Sequence, residues 1–171
     1  MKKQLVMGIS ATEAEANAVV ESLKTAGFAT EDISVLMKED AVKRDLSDST
    51  ILKGATRGAE GGVLAGGAIG LLAGIGLITI PALGPFIAAG PLMAAIAGAA
   101  MGGASGGLGG ALLGVTMPDH QIKLYESLLK EGNVLLIVHT DSPEEVDKAE
   151  DIMKSGGVKD IHKTTQAVKA K

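Results

Sequence analysis

The sequence predicts an α+β protein, a ferredoxin-like split β-α-β sandwich interrupted by a glycine-zipper helical hairpin of the membrane type. Residues 1–60 and residues 118–171 each carry eight basic and ten acidic side chains, and each contains a strand-helix-strand pattern. Residues 61–117 carry no charge. We therefore predict the two halves of one domain at residues 1–45 and 118–171. Residues 46–117, the predicted hairpin, separate these two halves.

The N-terminal end has the pattern of a β-α-β unit. Residues 4–9 form a short apolar run typical of a strand, and Ser10 with Glu13 suggests a capping box. The helix after this box ends at Gly27, and residues 33–37 form a second strand. One face of that helix is apolar and consists of Ala16, Val19, Val20 and Leu23. This face predicts a helix that packs on a sheet.

The C-terminal end repeats the same order. Residues 134–140 are an apolar strand, and the Ser-Pro pair at residues 142–143 begins a helix with an acidic first turn. Two glycines at residues 156–157 end it, and an Asp-Ile pair at residues 160–161 opens the last strand. The apolar face of the helix consists of Val146, Ala149, Ile152 and Met153. Two β-α-β units at opposite ends of the chain indicate a ferredoxin-like sandwich.

A third helix is predicted between the hairpin and the C-terminal strand. Asp119 is placed to cap its start, and the Gly-Asn pair at residues 132–133 to end it. Its apolar positions recur at helical spacing and consist of Ile122, Tyr125, Leu128 and Leu129. We expect this side to face inward.

Residues 46–117, which include the uncharged residues 61–117, are predicted to form a helical hairpin. Pro81, Pro85 and Pro91 break any helix, which places a turn near residues 80–91. The helices would run over residues 50–79 and 91–116. Each is then about 40 Å long, enough to cross a hydrocarbon core of about 30 Å.

The glycines of this middle recur at every fourth position in two registers. A glycine lowers the stability of a soluble helix by about 1 kcal/mol relative to alanine, so the repetition needs a reason. Helices in lipid associate through close packing of small residues, and this spacing clears such a surface. The positions are Gly54, Gly58, Gly62, Gly66, Gly70, Gly74, Gly98, Gly102, Gly106, Gly110 and Gly114. The pattern predicts self-association, with chance in a Gly/Ala-rich composition as the alternative.

The charges that flank the hairpin predict its orientation. Lysine and arginine precede and follow the hairpin, whereas its turn has none, so both termini would lie in the cytoplasm. Lys53 and Arg57 would reach the lipid headgroups. The predicted partners are the lipid bilayer, further copies of the chain and an unidentified protein. The weakly hydrophobic second helix and the lack of aromatic belts leave one alternative open, a hairpin buried in a soluble oligomer.

Three stretches resemble a known family. They are the N-terminal β-α-β unit, the glycine-rich hairpin with IPALGPFIAAGP, and MPDHQIKLYESLLKEGNVLLIV after it. Together they are similar to the bacterial general-stress-protein 17M-like family, whose members are also described as low-temperature-induced. The resemblance implies a bacterial protein associated with the inner membrane and a role in stress. It implies no reaction and no catalytic residues.

The residues themselves point to no chemistry. His120, His139 and His162 have no metal-ligand spacing, and the chain has no cysteine. Ser105 lies among glycines without a base in reach, and no phosphate-binding loop motif occurs. Neither end is basic enough for nucleic acid. We therefore predict no catalytic, cofactor-binding or metal-binding residues and no enzyme.

Three functional classes remain from the sequence. The leading interpretation is a self-associating, membrane-embedded scaffold or stabiliser made under stress. A small oligomeric pore is the second, although the uncharged middle offers no group for ion selectivity. A regulatory, ligand-sensing module is the third, and it rests on analogy with the fold alone.

Overall fold

The computed structural model describes residues 4–39, 76–80, 84–90 and 117–165 of the chain. These residues form an α+β fold. Its elements, in chain order, are β1 (Gln4–Ser10), α1 (Glu13–Thr25), a 3₁₀ turn (Thr30–Asp32), β2 (Ile33–Lys38), β3 (Gly76–Ile80), β4 (Gly84–Ala89), α2 (Asp119–Lys130), β5 (Val134–Thr140), α3 (Pro143–Ser155) and β6 (Lys159–Thr165).

The strands form a single six-stranded sheet in the order β3-β4-β2-β5-β1-β6. Every neighbouring pair is antiparallel. β1 lies between β5 and β6, so that Val6 is opposite both Val138 and Lys163. β2 lies on the other side of β5, with Val35 opposite Leu136. The prediction that strands from both ends of the chain share one sheet is confirmed.

The strands β3 and β4 correct the predicted hairpin. Residues 76–79 were expected in a helix and form most of β3, and Pro85, expected in the turn, is the second residue of β4. The apolar run Leu-Ile-Thr-Ile suits a strand because β-branched side chains favour a pleated surface. A proline is tolerated near the start of a strand. The chain does reverse direction here, but between two strands rather than two helices.

The position of β4 also corrects the predicted topology. β4 pairs with β2, with Met37 opposite Ile87 and Val35 opposite Ala89. Gly90 follows β4 with φ +81°, and a Cβ there would overlap the carbonyl oxygen of Ile33. Residues 84–90 therefore lie on the same side of any bilayer as the strands from both chain ends. A turn on the far side of a membrane is wrong for this segment.

Helices cover the two faces of the sheet. α1 and α3 pack on one face, over a core that includes Val6, Val35 and Leu136. α2 packs on the opposite face, where Tyr125 and Leu129 are fully buried. The predicted inward sides of all three helices are confirmed. Among the residues that the structure describes, no helix is long and apolar enough to cross a membrane.

The N-terminal caps of the helices differ in part from the prediction. α1 is capped by Thr12, whose hydroxyl accepts from the Glu15 amide at 3.2 Å, so the expected box of Ser10 and Glu13 is two residues too early. Glu15 accepts in return from the amide of Ala11, the residue before the cap, an arrangement close to a capping box. Asp119 is the first residue of α2 rather than its cap, because Pro118 occupies the cap position without a side-chain hydrogen bond.

The helix ends agree with the prediction. Gly27 and Gly157 have positive φ, which a residue with a side chain rarely adopts. The amide after each glycine donates to a carbonyl five residues earlier, at 3.1 Å in Phe28 and 3.0 Å in Val158. This is the Schellman arrangement, and it directs the chain back into the sheet.

Candidate functional site

The predicted packing glycines lie outside the described residues. The same holds for Pro81, Pro91, Lys53 and Arg57. Of the predicted positions, only Pro85 falls within a described element, in β4. The described part of the chain therefore shows the domain to which the glycine-rich segments connect.

The three histidines occupy separate places in the fold. His120 is exposed in the first turn of α2, while His139 is the second-last residue of β5 and His162 lies in β6. In the register of the sheet His139 is opposite Leu5 and His162 is opposite Met7. Within residues 4–39, 76–80, 84–90 and 117–165, no group of three or more His, Cys, Asp or Glu side chains could hold a metal ion.

Ser34 and His139 form a polar pair that the sequence analysis missed. The Ser34 hydroxyl and His139 Nε2 are hydrogen-bonded at 3.3 Å across β2 and β5. Ser34 is fully buried, so its hydroxyl needs a partner but cannot reach a substrate. The only signal of this pair in the sequence is a serine within the apolar run of β2. The pair therefore fits a structural role at the end of the sheet.

Tyr125 anchors α2 to β6. Its hydroxyl donates to the backbone carbonyl of Asp160 at 2.7 Å. Asp160 has φ +51° and lies where the pairing of β1 with β6 shifts register, a β-bulge opposite Gly8. A bulge leaves a backbone group without its ladder partner, and the tyrosine satisfies it.

Burial controls the chemistry of this tyrosine. The side chain is fully buried, and burial, assisted by the nearby charge of Asp160, raises the pKa of Tyr125 to about 12. A hydrogen bond with Gln121 acts in the opposite direction. The phenol therefore stays neutral and remains a donor over the physiological pH range.

Charged side chains join α3 to its neighbours. Lys163 of β6 contacts Glu150 at 2.7 Å and Asp147 at 3.7 Å, and Lys154 contacts Glu150 at 2.6 Å. The two lysines hold the pKa of the Glu150 carboxyl below its usual range. Hydrogen bonding to Glu150 raises the pKa of Lys163. These are exposed pairs, which fix side chains more than they stabilise the fold.

Comparison with known families adds the stress connection. Residues 6–80 match the family model described as the heat-induced stress protein YflT domain. The predicted resemblance to a general stress protein family is confirmed. The match runs from β1 through α1 and β2 to the end of β3, so it includes the first glycine register and crosses the boundary predicted at residue 45. No curated protein and no solved structure matches the chain.

Proposed function

We propose that the protein is a non-enzymatic stress-response protein that works by self-association. The heat-induced stress domain matched by residues 6–80 supports the physiological role. It also includes six glycines of the four-residue pattern, from Gly54 to Gly74. The contact surfaces of the assembly would come from the two glycine-rich segments, and the α+β domain would hold them.

The observation that carries this proposal is the attachment of the uncharged middle to the sheet. β3 and β4 both lie within the uncharged residues 61–117, and β4 is paired with β2. The glycine-rich segments enter β3 and leave β4 at neighbouring points, because Gly76 is opposite Ala88. Two packing segments that start from one sheet edge would orient neighbouring copies relative to the folded domain.

The remaining four strands support a ferredoxin-like sandwich as that folded domain. β2, β5, β1 and β6 are neighbours in this order, all antiparallel, with α1 and α3 on one face. This is the arrangement of two interlocked β-α-β units. β3 and β4 extend it beyond β2, at the point where the uncharged segment is inserted.

The second candidate function is contact with a lipid bilayer, and the sheet limits how the chain could enter it. Residues 91–116 are an uncharged stretch that begins and ends beside the sheet, at Gly90 and at the partly buried Met117. Both ends on one side require an even number of crossings, and two crossings need about 40 apolar residues. The stretch has 26 residues. We therefore propose attachment at the cytoplasmic face of the inner membrane rather than a span.

The test of self-association uses the glycine register. Gly66→Leu, Gly70→Leu, Gly102→Leu and Gly106→Leu would each place a bulky side chain on the packing surface. We expect each to reduce the oligomer observed by native mass spectrometry, with and without heat treatment. Gly67→Leu and Gly103→Leu are matched controls, since they raise hydrophobicity equally but lie one position off the register. Equal assembly in all six variants would contradict the proposal.

Membrane attachment is tested separately by extraction. A surface-attached protein should leave membranes in alkaline carbonate, whereas a spanning protein requires detergent. Single cysteines that replace Lys3 and Lys169 should both react with an impermeant thiol reagent from the cytoplasmic side. Retention after carbonate treatment would favour a span and contradict the limit that the sheet sets.

A further inference from the structure

The two edges of the sheet differ in charge and shape. β6 forms one edge and carries Lys159, Asp160 and Lys163 together with the bulge. Charges and bulges at an edge strand discourage pairing with another chain. β3 forms the other edge, with the sequence Gly-Leu-Ile-Thr-Ile and no charge. Among the described strands, the β3 edge thus lacks the charges and the bulge that protect the β6 edge.

We propose that β3 pairs with β3 of a second copy of this chain, in antiparallel orientation. Among the described strands β3 has a neighbour on one side only, β4. A two-fold axis through the middle residue, Ile78, would set Gly76 opposite Ile80 of the partner and Leu77 opposite its Thr79. The pairing turns two six-stranded sheets into one continuous sheet across the axis.

The sequence of β3 favours a second copy over another partner. An antiparallel pair of identical strands is self-complementary, so every outward backbone donor meets an equivalent acceptor. No side chain from residue 61 to residue 117 carries a charge, so neither β3 nor the residues that follow it repel their own copy. The inference rests on the proposed self-association and names the surface that would carry it.

A cysteine crosslink tests the pairing directly, because the chain contains no cysteine. Directly opposite residues in an antiparallel pair have Cα atoms about 4.5–5.5 Å apart, within the range of a disulfide. We expect Ile78→Cys to give a disulfide-linked dimer under mild oxidation. His162→Cys, in the middle of the opposite edge strand, is the matched control and should remain uncrosslinked.

The outcomes separate this inference from the proposed function. If native mass spectrometry shows an oligomer but Ile78→Cys does not crosslink, self-association stands and the β3 interface is overturned. If the protein is a monomer, both are overturned. Equal crosslinking of both cysteine variants would mean random collision and would also overturn the interface.

A charge variant provides the second measurement. Ile78→Lys would place two like charges opposite each other across the axis, and we expect dimer affinity to fall about twofold to fivefold. Ile78→Thr, a neutral β-branched control, should dimerise more strongly than the lysine variant. Thermal unfolding of both variants establishes that the sheet is intact. An unchanged dimer in a folded Ile78→Lys protein would overturn the pairing.

Discussion

The two β-α-β units of the domain match each other position by position, with an offset of 130 residues from the first strand to the glycine turn that ends the helix. Strand β1 corresponds to β5, α1 to α3, and the cap Thr12 to Ser142. The hydrogen bonds around the caps correspond too, since the Glu145 carboxylate accepts from the Asp141 amide as Glu15 does from the Ala11 amide. Met7 is opposite Ile137, its own equivalent, so the pair of strands β1 and β5 has a local two-fold axis. The equivalence indicates an internal repeat.

The units differ in the path of the chain after the glycine turn that ends each helix. In the first unit a 3₁₀ turn leads into β2, an inner strand beside which the uncharged segment adds β3 and β4. In the second unit the chain enters β6 at once, and the bulge at Asp160 compensates. One unit has thus been extended, while the other ends the sheet with a charged edge. We therefore expect the first unit to carry the surface for assembly, whereas the second unit ends the sheet.

The largest expected effect comes from removing one unit. Deletion of residues 134–171 takes away both neighbours of β1 and one neighbour of β2. A β-α-β unit alone cannot cover its apolar face, so we expect residues 1–133 to lose the cooperative thermal transition seen by circular dichroism. A monomeric fragment that still melts cooperatively would show that the units are independent domains.

The next largest loss of stability is expected when Gly8 is replaced by valine, the residue at the equivalent position of the other unit. Gly8 is equivalent to Val138, but a Cβ at Gly8 would lie 2.5 Å from Val158 Cγ1 and 3.1 Å from Ile161 Cγ1. We expect Gly8→Val to lower the free energy of unfolding by about 3 kcal/mol, measured in urea. Val138→Ala, which removes methyl groups from the fully buried equivalent, is the control and should destabilise through a cavity. If Gly8→Val left the free energy of unfolding unchanged, the bulge would have to shift to accommodate the valine at little cost.

These two units were largely predictable because their signals are local. The helix ends at Gly27 and Gly157 and the cap at Ser142 follow from residue types with few other uses. The start of α1 was misplaced because Ser10 and Thr12 each have a glutamate three residues later, and only the strand length decides between them. The repeat is also indicated by the Asp-Ile pairs at residues 32–33 and 160–161, which follow the glycine turns and are 128 residues apart.

The middle was not predictable by the same means. Short apolar runs such as Leu77–Ile80 fit a buried helix or a strand equally by periodicity, and the long uncharged context favoured the helix. The contact that decides for strands is the pairing of β4 with β2, between residues about 50 positions apart in the chain. The anchor from Tyr125 to Asp160 is equally nonlocal, since it depends on a bulge that no pattern announces.

The bulge gives a third prediction, which depends on pH. Tyr125→Phe leaves the Asp160 carbonyl without its donor, and we expect a loss of about 1–3 kcal/mol at pH 7. In the wild type the folded pKa, about 12, exceeds the ordinary value of 10, so stability is full below pH 10 and falls as pH rises towards 12. The variant should lack this alkaline decline. Parallel urea curves at pH 7 and pH 11 measure both, and an equal decline in the variant would assign it to other groups.

The smallest effect tests the equivalence of the units most strictly. Thr12 and Ser142 occupy the same cap position, and their hydroxyls accept from the Glu15 and Glu145 amides at 3.2 Å and 3.3 Å. Since removal of such a cap costs about 1 kcal/mol, Thr12→Ala and Ser142→Ala should destabilise by equal amounts, and the double variant by their sum. Urea unfolding of the three proteins measures this. Unequal losses of unfolding free energy would mean that one of the two helices is held mainly by packing. We expect that helix to be α1, because Lys148 of α3 donates to the Ala26 carbonyl at its end and lies 5.9 Å from the ring centre of Phe28.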